Sequence, residues 1–60
     1  MKKEYRKRKG SDTWHWCTNC PYWPKSDYET WCGDGRPPVG ELDNLCKKLE
    51  RDGTCKTRTC

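Results

Sequence analysis

Apolar and polar positions divide the chain into stretches of different period. Residues 1–12 lack hydrophobic periodicity apart from Tyr5 and end in Gly10-Ser11-Asp12, which predicts a flexible basic arm ahead of a domain over 13–60. From Thr13 to Tyr22, aromatic and polar residues alternate around Cys17 and Cys20, a pattern that suits two short strands joined by a turn carrying both sulfurs. Pro21 and Pro24 stop the second strand early. Lys25 to Pro38 is rich in turn formers, with Gly33-Asp34-Gly35 before Arg36-Pro37-Pro38. It reads as loop or one short hairpin with Trp31 and Cys32 facing inward.

One helix is predicted, from Glu41 to about Arg51. Leu42, Leu45, Cys46 and Leu49 fall at i, i+3, i+4 and i+7, a single apolar face that carries Cys46 to the buried side. Pro37-Pro38 and Gly40 precede it, and Asp52-Gly53 stops it. Glu41 and Asp43 near its start and Lys47, Lys48 and Arg51 near its end complement the helix dipole. Thr54 to Cys60 is a short polar tail, and its Cys55 and Cys60 are expected to be dispensable for the fold.

Composition shows what such a fold lacks. Sixty residues bury only about 60% of the unfolded surface. There is no Phe, and the aliphatic core formers are Val39, Leu42, Leu45 and Leu49. Disulfides, a metal or a partner must supply the missing stability, and six cysteines are the evident means. Met1 to Gly10 is basic with no apolar stretch after it, which leads to the expectation of a cytoplasmic protein without membrane association. In that reducing compartment, closely spaced cysteines bind metal more often than they form permanent bridges.

Cys17-Thr18-Asn19-Cys20 has the spacing that lets two sulfurs of one tight turn reach the same zinc ion. No second Cys-x2-Cys exists, but Asp43-Asn44-Leu45-Cys46 has its spacing at the start of the helix, with Asp in place of the first cysteine. The expected metal ligands are Cys17, Cys20, Cys46 and a fourth, for which Cys32 ranks first, Asp43 second and Cys55 third. Strand alternation puts His15 on the face opposite Trp14 and Trp16; it is expected to be a partly exposed imidazole without a metal role.

From Trp16 to Leu49 the arrangement resembles a treble-clef zinc finger: a knuckle, a hairpin, and a helix whose first turn completes the site. Cys17 to Glu29 and Gly40 to Cys46 are also similar to small bacterial Cys-rich proteins of unknown function that carry CxNCxxWPxSxYE and a later GELCxxC. The resemblance implies a small metal-stabilised α+β fold, short hairpins followed by one C-terminal helix, with a structural Zn2+. Asp43 stands where that pattern has a cysteine.

Charge and aromatics suggest partners. Lys2, Lys3, Arg6, Lys7, Arg8 and Lys9 against Glu4 give the first ten residues a net +5, leaving −1 for the rest of a chain of net +4. Such an arm, with Trp14 and Trp16 as stacking surfaces, makes a nucleic-acid-binding zinc module the leading functional expectation. A protein-interaction module with a purely structural zinc is the alternative, and a thiol redox protein the third. Trp16-Cys17-Thr18-Asn19-Cys20-Pro21 superficially looks like a thioredoxin active-site turn, but Pro21 and Pro24 oppose the helix such a motif must open. No catalytic triad, carboxylate pair or phosphate-binding glycine loop can be argued, so no enzymatic activity is expected.

Overall fold

A computed structural model describes residues 2–60. Four strands and one helix follow one another as β1 (Lys3–Arg8), β2 (Thr13–His15), β3 (Tyr28–Gly33), β4 (Glu41–Leu42) and α1 (Asn44–Arg51). They form a small α+β fold whose mixed sheet has the order β3-β1-β2-β4. β1 pairs antiparallel with β2 (Arg6 opposite His15) and with β3 (Tyr5 opposite Trp31), while β2 and β4 run parallel. No helix among the described residues is long and apolar enough to cross a membrane.

The segment expected to be a flexible arm is a central strand. Strand alternation turns Tyr5 inward, where its ring meets Trp16 at 5.6 Å and Trp31 edge-on at 5.5 Å between centroids. On the other face the Arg6 guanidinium lies 4.3 Å from the Tyr28 ring and 4.6 Å from that of Trp23, and donates to Glu4 (2.7 Å) and to the Pro24 carbonyl (3.0 Å). Lys7 pairs with Glu29 at 3.0 Å and Lys3 with Glu50 at 3.6 Å. Long cationic side chains can line a strand when their stems cover rings and their heads find carboxylates.

The Lys25–Pro38 stretch, expected as loop or short hairpin, contains the long edge strand β3. Its alternation places Cys32 on the exposed side, opposite to Trp31, so the expectation that both face inward fails for Cys32.

The helix begins later than its apolar period suggests. Asp43 is extended (φ −65°, ψ 132°) and caps α1, so Glu41 and Leu42 precede it as β4 beside β2. Gly40 makes the approach to β2 possible: at φ +86°, a Cβ there would stand 2.7 Å from the Asp12 carbonyl oxygen and 2.8 Å from Trp14 Nε1. At the other end Gly53 takes φ +75°, Thr54 N–H bonds Leu49 O and Gly53 N–H bonds Glu50 O, a Schellman stop.

Two disulfides, Cys17–Cys55 and Cys32–Cys60, tie the C-terminal tail to the body. Backbone bonds add to them: Thr18 N–H to Lys56 O (2.7 Å) and Glu4 N–H to Arg58 O (2.8 Å). Cys55 and Cys60, expected to be dispensable, are thus structural partners. The buried centre is Tyr5, Trp14, Trp16, Cys17, Cys20 and Cys46, with Trp31, Leu42, Leu45 and Leu49 packed against it. With aliphatics so few, rings and sulfurs are the core.

Candidate metal centre

Four side chains from three places in the chain converge between β2 and α1. His15 closes β2, Cys20 sits in the turn after it, Asp43 caps α1, and Cys46 lies one helical turn further on. β4 sets the distance between the two halves: the Asp43 N–H donates to Trp14 O at 3.0 Å, pinning the helix start beside His15. Asp43 and Cys46, three apart, then share a helix face.

One ligand atom from each of the four lies within 4.8 Å of all the others. His15 Nδ1 is 4.0 Å from both Cys20 Sγ and Cys46 Sγ and 3.6 Å from Asp43 Oδ2; Cys20 Sγ is 3.9 Å from that same oxygen. Tetrahedral zinc with bonds of about 2.0–2.3 Å has ligand-to-ligand edges of about 3.3–3.8 Å. The four stated distances exceed those edges by about a few tenths of an ångström, and closing the cage onto an ion calls for a contraction within reach of side-chain rotation. Cys46 is fully buried, His15 and Cys20 nearly so, and the Asp43 side chain is 17% exposed. A cleft of about 320 Å³, lined by Arg8, Tyr22 and Trp23 among others, reaches His15 and Asp43 from solvent and gives an entry path.

Electrostatics favour metal-competent protonation on one side and oppose it on the other. Burial lowers the His15 pKa from its usual 6.5, against the pull of Asp43 and with a contribution from Arg8, so the imidazole is neutral and its lone pair free. Burial pushes the Cys46 thiol up to about 12, although the backbone amides of Cys17 and Trp16 hydrogen-bond to it. Without a cation this sulfur stays protonated; a metal must displace the proton.

The expected ligand set is only partly assembled. Cys20 and Cys46 come together as free thiols, whereas Cys17 is bonded to Cys55 and Cys32, on the exposed side of β3, to Cys60. Asp43, ranked second for the fourth position, is in the cluster, and so is His15, which was expected to have no metal role. His15 meets Asp43 and Cys46 at the start of α1, and β4, which places that start beside it, is what the sequence pattern did not reveal.

The expected nucleic-acid surface is not supported. Of its residues, Trp14 and Trp16 are buried, with indole N–H groups donating to Val39 O (2.7 Å) and Glu50 Oε2 (2.9 Å). Lys3, Arg6 and Lys7 are held in ion pairs within the fold, leaving Lys2, Arg8 and Lys9 without one among the described residues.

No family model matches the chain, and neither a curated protein nor a solved structure gives a significant match.

Proposed function

We propose that the chain is a small metal-binding domain in which His15, Cys20, Asp43 and Cys46 hold one Zn2+ whose role is to stabilise the fold. The observation that carries this reading is the fate of the cysteines. Four of six are joined in disulfides, while the other two, Cys20 and Cys46, stay reduced, buried, and within ligand distance of an imidazole and a carboxylate. Two sulfurs, one nitrogen and one oxygen around a compact centre are a donor set for zinc rather than for the hard oxygen-seeking cations. Binding energy at such a site is folding energy, which a core of this size needs.

The two disulfides also favour an oxidising compartment over the cytoplasm expected from the N-terminal sequence. A zinc titration of the unreduced chain tests the reading. One equivalent should bind, and His15→Ala or Cys20→Ser should each weaken binding by at least about tenfold, or 1.4 kcal/mol. Unchanged affinity in both variants would remove the site.

A further inference from the structure

We propose that reduction of the Cys17–Cys55 bridge delivers Cys17 to the metal as a third thiolate, which replaces the Asp43 oxygen. The inference rests on the zinc reading above and specifies how that site responds to thiols.

Cys17 is fully buried in the same cluster as Cys20 and Cys46, and its sulfur lies 3.5 Å from the Cys46 carbonyl oxygen at the first turn of α1. The Cys20 N–H bonds the Cys17 carbonyl at 3.0 Å and closes the turn between them. That is the Cys-x2-Cys spacing whose two sulfurs can share one zinc. The bridge to Cys55 ties up this suitably spaced sulfur, and opening it frees a thiolate for the centre.

Access sets the direction of the exchange. Cys55 is half-buried while Cys17 is wholly enclosed, so an incoming low-molecular-weight thiolate attacks the Cys55 sulfur. The bond from its sulfur to Cys55 forms as the Cys55–Cys17 bond breaks, and the electron pair leaves on Cys17 beside the cation. A second thiolate resolves the mixed disulfide, giving the oxidised small disulfide and the Cys55 thiolate. Two small thiols are oxidised and one protein disulfide reduced.

Asp43 is the ligand to leave. A structural zinc favours three cysteines and a histidine over a set with a carboxylate. Asp43 Oδ2 still accepts the Cys46 N–H at 2.9 Å, so it keeps a partner after departure. The tail also remains attached: Asn19 Nδ2 donates to Thr54 O (2.8 Å) and Lys56 N–H to Asn19 Oδ1 (3.0 Å), on both sides of Cys55.

X-ray absorption on the zinc-loaded full chain counts the sulfurs. The unreduced wild type should show two, and Cys55→Ser, which frees Cys17 while leaving Cys32–Cys60 in place, should show three without reductant. Wild type treated with a water-soluble phosphine should also rise to three, and Cys17→Ser should remain at two throughout. Asp43→Asn should weaken zinc binding in the wild-type background and leave it unchanged in Cys55→Ser. Two sulfurs in Cys55→Ser, or three in reduced Cys17→Ser, would overturn the exchange and leave the four-residue site standing. Failure of the unreduced wild type to bind zinc would overturn that site, and the exchange with it.

Discussion

Asp43 accepts the backbone N–H of Cys46 at 2.9 Å with the same oxygen that stands 3.6 Å from His15 Nδ1. One carboxylate therefore starts the helix and lines the metal centre, and the two roles can be separated by substitution. Asp43→Asn keeps a good cap and should leave the melting temperature of the metal-free chain nearly unchanged while weakening zinc binding at least about tenfold. Asp43→Ala should in addition destabilise the metal-free chain by about 1 kcal/mol. Equal melting temperatures for the two variants would show that the cap carries no stability.

The tail disulfide is a second point of test. Cys32 and Cys60 are 28 residues apart, and closing a loop of that length stabilises by about 3.6 kcal/mol in the chain-entropy model. The double variant Cys32→Ser/Cys60→Ser should lose roughly 2–4 kcal/mol in urea unfolding without change in zinc stoichiometry. A loss of metal in that variant would assign one of the two to the centre.

β1 supplies a third. Tyr5→Ala empties the space between Trp16 and Trp31 and should destabilise by about 3–5 kcal/mol, the range for large buried aromatics. A true arm would tolerate the change, so an unaltered unfolding midpoint would return residues 3–8 to that status.

Acid should act on the metal-free chain through His15. Its folded pKa lies below 6.5, so between the two values the unfolded chain binds more protons. This stability is present above pH 6.5 and is lost as pH falls toward the folded value. Cys46 works in the opposite window: its contribution is complete below pH 9.0 and declines only toward about 12, so it is constant across the acid range. Urea midpoints at pH 7.5 and 5.5 should therefore differ, and His15→Gln should abolish that part of the difference. Zinc affinity at neutral pH should rise with pH as the Cys46 proton is displaced; an affinity independent of pH would exclude that thiol as a ligand.

The helix near the C-terminus was legible because Leu42, Leu45, Cys46 and Leu49 repeat at helical spacing and Asp52-Gly53 ends them. Its first residues were misread because Asp43, a capping residue, sits inside that repeat, and Leu42 belongs to β4. β1 was opaque for a different reason. A run of lysines and arginines has no apolar period, and its order comes from partners far along the chain, Trp31, Glu29, Glu50 and Arg58. Cysteine pairing was equally hidden, since six cysteines allow fifteen connectivities and spacing alone chose Cys17 for the metal. Cys20, Cys46 and Asp43 were visible as Cys-x2-Cys and Asp-x2-Cys, whereas His15 needed the parallel β2–β4 pair to bring the helix against its face.

Native mass spectrometry of the unreduced full chain, combined with a thiol count before and after chelation, tests the central claim most directly. One zinc per chain, with two disulfides and two thiols that become alkylatable only when the metal is withdrawn, is the result expected. A metal-free chain whose Cys20 and Cys46 are alkylated at once, or are joined in a third disulfide, would contradict it.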